Sequence, residues 1–371
     1  MRCLAVCAFA MEGIVKRELA DLGFADARCD QGCVRFSADW EGIFRANLWL
    51  RCADRVLVLL GEGRTETFED LFRLTLDCGV GDLLPADAAF PVKGKCARST
   101  LMSVRDCQAI VKKAAARSMC EKHRLNWCPE TGPVFQLEAA IHGDICRITL
   151  DTSGEALNKR GYRTWTGEAP IRETLAAAIL KLSPWRPDSE RDVLYDPCCG
   201  TGTFLIEAAM MQSRRAPGLR RRFAMEDWPF FTAADTLRAE AEEMYDPSLI
   251  HDISGSDISP EAIGLCVKHI GQAGLKGRIR VGVKDLRTLT IDPGPERYLT
   301  FVANPPYGER MGEIRDAEKL YADMRAMWDR SPGSRMTVIT SCPSFERVFR
   351  RRAVKRTRFY NGRLECECLI I

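Results

Sequence analysis

Residues 3–10 form an apolar run that reads as a strand, and Ile14, Val15, Leu19 and Leu22 then recur at helical spacing across 11–22. Cys33–Phe36 predicts a second strand, 43–50 a second helix and 55–60 a third strand. That rhythm describes a small α+β unit over residues 1–64. A second unit is expected over 65–155. Within it 68–76 and 104–121 are helical in pattern, and 90–93 is a strand candidate. Residues 135–141 and 145–151 predict a hairpin turning at His142-Gly143-Asp144. Residues 156–170, with their Gly, Thr, Arg and Pro, read as a linker.

From residue 171 to 371 the pattern becomes strands alternating with helices, the mark of a doubly wound α/β sheet. The expected strands are 192–196, 253–257, 279–283, 299–303 and 336–341. A last hairpin runs from 354–360 to 364–370, turning at Asn361-Gly362.

Composition narrows the class. A net charge of +3 means that affinity for a polyanion must come from local patches, not from the whole molecule. The 17 cysteines are odd in number and form no C-x-x-C pair, which speaks against a disulfide scaffold and a zinc ribbon. Cys120, His123 and Cys128 fit no zinc-ligand spacing, so no metal is expected. The first apolar run is too short for a leader, and Glu12 and Lys16 follow it at once. No stretch approaches the roughly 18 apolar residues of a membrane helix, so the expected location is the cytoplasm, with no membrane partner.

The chemistry concentrates at strand ends. In Val193-Leu-Tyr-Asp-Pro-Cys-Cys-Gly-Thr-Gly-Thr-Phe204 an apolar strand closes at Asp196 and a helix opens near Thr203. Gly200 and Gly202, around Thr201, let backbone approach a ligand where a Cβ would collide. The helix N-terminus favours a carboxylate, and Asp196 can accept from an ammonium. Together they suit the amino-acid end of S-adenosylmethionine. The turn is neither a Walker A loop nor G-x-G-x-x-G. Asp257 closes the next strand, where an acid takes ribose hydroxyls; Ser259 is the better cap for the helix near Pro260. Asp285 closes the third and is placed to accept from an adenine amino group.

Asn304-Pro305-Pro306-Tyr307 follows the apolar strand at 299–303. Two prolines stiffen the rim and remove donors. An exocyclic amine is a poor nucleophile because its lone pair is delocalised into the ring. The Asn304 side-chain oxygen and the Pro305 carbonyl can accept its two hydrogens and aim the lone pair at a methyl group, while Tyr307 stacks on an extruded base. Positioning and electrostatics carry such a displacement, with no strong general base.

The chain resembles the THUMP-containing class I RNA methyltransferases, close to the bacterial large-subunit ribosomal RNA guanine-N2 enzymes. The likeness rests on Cys7–Glu12, Phe44–Leu50, Asp106–Lys113, Asn158–Arg163, Gly167–Ala176, Asp196–Phe204, Asn304–Arg310 and Tyr360–Arg363, in that order. It implies a ferredoxin-like subdomain over 1–64, a THUMP RNA-binding domain over 65–155 and a Rossmann-like methyltransferase domain over 171–371. It implies S-adenosylmethionine as methyl donor and guanine N2 in ribosomal RNA as acceptor. The helix opening at Ile171 should border the cofactor, with Thr174 the candidate contact and Arg172 the alternative. Some relatives carry a second methyltransferase domain; ending at Ile371, this chain is expected to have one activity. Asn-Pro-Pro-Tyr also occurs in adenine-N6 DNA methyltransferases and in enzymes acting on protein glutamine. A non-catalytic RNA-binding assembly factor is the remaining alternative, against which the full set of strand-end residues argues.

Three basic clusters are candidates for RNA phosphates. Between Lys93 and Arg124 nine cations face two acids. Between Phe345 and Arg363 eight face one, and Arg220-Arg221-Arg222 is the third.

Overall fold

The computed structural model describes residues 1–163, 171–306, 311–362 and 364–371, without the side chains of 311–313. Alternating apolar and polar positions set seven strands in the first half: β1 (Arg2–Cys7), β2 (Arg28–Asp30), β3 (Cys33–Ser37), β4 (Ala53–Arg64), β5 (Val92–Ala97), β6 (Leu137–His142) and β7 (Ile145–Asp151). They form one sheet in the order β2-β3-β1-β4-β7-β6-β5. The 12-residue β4 is the reason. It pairs antiparallel with β1 from Ala53 to Val58 and with β7 from Leu57 to Arg64. The two units read from the sequence therefore share a sheet, which short-range periodicity does not reveal. The hairpin between β6 and β7 turns where expected, with Gly143 and Asp144 both left-handed. The strand expected at 90–93 begins at Val92 instead and runs on to Ala97, as a parallel partner of β6.

The second half holds β8 (Asp192–Asp196), β9 (Ile253–Asp257), β10 (Arg280–Val283), β11 (Tyr298–Ala303), β12 (Arg335–Thr340), β13 (Lys355–Asn361) and β14 (Leu364–Ile370). Their order is β10-β9-β8-β11-β12-β14-β13. The first five run parallel, and β14 inserts antiparallel between β12 and β13. This is the doubly wound, Rossmann-like sheet that the alternation predicts. Its strand order reverses between β8 and β11, and ligands bind outside the carboxyl ends of the strands at such a point.

A continuous apolar core joins the halves, running from Val15, Phe44 and Val56 to Leu175, Phe204 and Trp228. At its centre Arg160 and Glu207, both fully buried, form an ion pair at 3.1 Å, and Tyr162 donates to the same carboxylate at 2.9 Å. Removing one member of such a pair costs about 3–5 kcal/mol, because the other charge stays buried. Arg160 also donates to the Arg51 carbonyl at 2.6 Å, so this chain segment is fixed to both halves.

Arg220-Arg221-Arg222, a candidate phosphate cluster in the sequence, is partly engaged within the fold. Arg221 donates to the carbonyls of Ser153, Glu155, Ala156 and Lys159, Arg220 to that of Gln272, and Arg222 pairs with Asp227. Arg220 and Arg221 satisfy backbone carbonyls that irregular chain leaves without partners, whereas Arg222 stays exposed in a surface pair.

Candidate active site

Each residue singled out at a strand end is delivered by a short apolar run that stops where the sheet does. Asp196 ends β8 and is 1 % exposed. Its Oδ1 accepts from the Cys198 amide at 3.0 Å, and no cation pairs with it among the described residues. Burial pushes its carboxyl well above the usual range, with the nearby Asp257 adding to the rise. A cation brought beside it would favour the charged form instead.

The following turn is shaped by its glycines. Gly202 has φ +85°, and a Cβ on it would lie 2.5 Å from the Cys266 sulfur. Gly200, at φ +50°, faces open space. The helix Thr203–Gln212 starts on Gly202, which has no side chain to cap the first-turn amides. Asp257 ends β9. Its Oδ2 accepts from the Gly200 amide at 2.9 Å and its Oδ1 from the Ser259 amide at 3.0 Å, so it ties the glycine turn to the neighbouring strand. Ser259 caps the helix Pro260–Gln272 by accepting from Ala262 N.

Asp285 lies two residues beyond β10. It caps a short turn by accepting from Arg287 N at 2.9 Å and pairs with the Arg287 guanidinium, which holds its carboxyl below the usual range. A cavity of about 310 Å³ opens beside these residues, lined among others by Cys198, Asp257, Ile258, Asp285 and Pro306. It joins the ends of β8, β9 and β10 to the Asn-Pro-Pro segment.

That segment follows β11. In the parallel register Phe301 faces Tyr195; β8 ends one residue later at Asp196, and Asn304 directly follows the end of β11 at Ala303. Adjacent strands lie about 4.8 Å apart. Asn304 thus emerges on the far side of the switch point from Asp196. It is half-buried, and its Oδ1 is a buried acceptor with no hydrogen-bond partner among the described residues. Pro305 is buried and Pro306 exposed. Tyr307 lies outside the described residues.

Two residues stand apart from the expectations. Thr174 is 4 % exposed and donates its hydroxyl to Asp54 at 2.7 Å; Asp54 also takes Arg172 at 3.4 Å. Both candidate contacts from that helix are engaged with the N-terminal unit. Arg163 was not singled out. It donates to the Thr203 hydroxyl at 2.6 Å and to the Ile171 carbonyl at 3.0 Å, and its Nε lies 3.5 Å from Glu173. Nothing local marks it, since its partners lie 8 to 40 residues away.

Sheet order, glycine turn and strand-end acids define a Rossmann-like methyltransferase domain. Comparison with known proteins agrees. A family model described as the RMKL-like methyltransferase domain matches residues 160–370, the RlmL ferredoxin-like domain matches 2–57, and the THUMP domain matches 65–151. YpsC of Bacillus subtilis (strain 168), named as a candidate RNA methyltransferase, is 38% identical over 365 residues, 97% of this chain and 92% of that one. A Listeria monocytogenes structure, described as a predicted N6-adenine-specific DNA methylase, is 39% identical with a TM-score of 0.92, over 100% of this chain and 95% of that one. SMU.472, a candidate methyltransferase crystallised with S-adenosylhomocysteine, is 35% identical with a TM-score of 0.93, over 100% and 97%. The chain belongs to the RMKL-like methyltransferase family, with a RlmL-type ferredoxin-like domain and a THUMP domain ahead of the catalytic one.

Proposed function

We propose that this protein transfers a methyl group from S-adenosylmethionine to the exocyclic N2 amino group of a guanine in RNA, with large-subunit ribosomal RNA as the substrate. The observation that carries the reading is the Asn304 Oδ1 at the switch point, buried and without a donor among the described residues. A buried acceptor without a donor costs about 1–3 kcal/mol, so its retention is best explained by a donor that arrives with the substrate. An amino group is such a donor.

Residues present fit the cofactor. Asp196 would hold the ammonium, the uncapped turn at Gly200, Thr201, Gly202 and Thr203 the carboxylate, Asp257 the ribose hydroxyls and Asp285 the adenine amino group. Bound there, S-adenosylmethionine supplies an electrophilic methyl carbon on a sulfonium. Asn304 Oδ1 and the Pro305 carbonyl accept the two amine hydrogens and direct the nitrogen lone pair toward it. Once alkylated, the nitrogen is acidic enough to lose its proton to water. Tyr307 would cover a face of the base, and Thr174 would act through Asp54, by holding the helix Glu173–Leu182 in place.

RNA is favoured over DNA by the THUMP match and by the YpsC likeness. Lys93, Arg98, Arg105 and Arg124 are exposed on that domain, as are Arg350, Arg351 and Arg352 near the C-terminus. Among the described residues no helix is long and apolar enough to cross a membrane. We assign the activity to the cytoplasm, where its RNA is. Adenine N6 of DNA is the second reading, favoured by the name of the Listeria relative. Methyl transfer in a mixture of unmodified ribosomal RNA and duplex DNA, followed by nucleoside mass analysis, tests both. N2-methylguanosine is the expected product; N6-methyladenine in the DNA would replace this proposal by the second, and no product from either would return the chain to an assembly role.

A further inference from the structure

Arg163 belongs to neither the glycine turn nor the Asn-Pro-Pro rim. Its guanidinium nevertheless donates at 2.6 Å to Thr203, the first residue of the uncapped helix. Two positive features meet there. The first-turn amides of Thr203–Gln212 carry the positive end of the helix dipole, roughly half a charge. Arg163 adds a full one. Its Nε makes no hydrogen bond among the described residues; it pairs at 3.5 Å with Glu173, which also accepts from Asn158. A guanidinium has five donors in a fixed fork suited to a carboxylate. Here that fork is only partly used, beside a helix end that itself attracts anions.

On the other side, Asp196 is a buried acid without a cation. A guanidinium that is paired with Glu173 but keeps donor capacity, and a buried acid without a cation among the described residues, thus flank one turn. An α-amino acid zwitterion matches both at once. We infer that Arg163 is a cofactor-binding residue that grips the α-carboxylate of S-adenosylmethionine, opposite the ammonium held by Asp196. This rests on the cofactor reading above. It assigns to the segment that joins the N-terminal units to the catalytic domain a direct part in holding the methyl donor. Cations of the 310 Å³ cavity, Lys284, Arg287 and Lys319, line the end assigned to adenosine and do not compete for this role.

Two ligands separate this role from a structural one. S-adenosylhomocysteine carries the carboxylate; 5′-methylthioadenosine keeps the nucleoside and lacks the amino-acid end. Calorimetric titration of the full chain is made with each, for the wild type, Arg163→Gln and Arg163→Lys. Loss of a charge-assisted contact predicts a fall of about tenfold or more in S-adenosylhomocysteine affinity for Arg163→Gln. Affinity for 5′-methylthioadenosine should stay within about twofold, the sequence-distant end being untouched. Arg163→Lys keeps the charge and should recover part of the loss. Parallel weakening of both ligands would reassign Arg163 to scaffolding, and undiminished S-adenosylhomocysteine binding by Arg163→Gln would also overturn the inference. A wild type that binds neither ligand would instead bring down the cofactor reading, and this inference with it.

Discussion

Strand β8 begins and ends on an aspartate, and the two live under opposite rules. Asp192 is 3 % exposed and Asp196 is 1 % exposed. Asp192 is neutralised by Arg335 at 2.5 Å, across β11. Asp196 has one backbone amide and no cation among the described residues. The same contrast runs along the sheet. Before β9, Asp252 pairs with Arg297 and Arg280; after β11, the Asn304 oxygen has no donor among the described residues. One edge of the sheet is closed electrostatically and the other is left incomplete. Burial alone therefore says nothing about role here. Between the two buried aspartates of β8, the difference is whether the fold itself provides the counter-charge.

The strongest way to break that contrast is at Asn304. Asn304→Ala should lower turnover about 10²–10³-fold, the range for deleting one well-placed polar group at a reacting centre. S-adenosylhomocysteine affinity should be unchanged, and steady-state kinetics beside calorimetry would show both. Wild-type turnover in this variant would dismiss the catalytic assignment.

Next in size is Asp196→Asn, which keeps the acceptor for the Cys198 amide and removes the charge. S-adenosylhomocysteine affinity should fall about tenfold or more, as for losing a hydrogen bond to a charged group. The unliganded protein should melt higher at neutral pH. The native state holds the Asp196 proton more tightly than the unfolded chain does. Its contribution to stability is therefore full in acid and is lost as pH climbs from the unfolded value of about 3.9 to the raised native one. Cofactor affinity runs the other way, weakening as acid protonates Asp196, and the substitution should flatten that slope. A melting temperature that falls in Asp196→Asn would contradict the account.

Asp192→Asn is the mirror experiment. It strands Arg335 and should cost about 1–3 kcal/mol in denaturant unfolding, while leaving S-adenosylhomocysteine affinity alone. Weakened cofactor binding there would show that the two edges are not independent. The smallest effect belongs to Arg287→Ala. Its pair with Asp285 is solvent-screened, so cofactor affinity should move by about twofold at most, and toward tighter binding if Arg287 competes with the adenine amino group.

Sequence reading located the incomplete edge well because its signals are local. An apolar run, a stop and a polar residue recur at Asp196, Asp257 and Asn304, and each β-strand ends where that pattern ends. The closed edge was not legible in the same way. Asp192 and Arg335 are 143 residues apart, and only the parallel register brings them together. Arg163 and Arg221 escaped for the same reason. Within a run of arginines Arg221 looks like a phosphate ligand, yet its acceptors are carbonyls scattered from Ser153 to Lys159. The strand β2 is three residues long and carries no period of its own; it exists because β3 offers it an edge.

The doubled pairing of β4 has a mechanical corollary. A strand hydrogen-bonded on both sides leaves no flexible joint between the modules it serves, and swivelling one against the other would mean breaking a backbone ladder. Together with the salt link from Arg160 to Glu207, that stiffness holds the modules at one spacing. A ligand touching two of them would have to fit that spacing and could not set it.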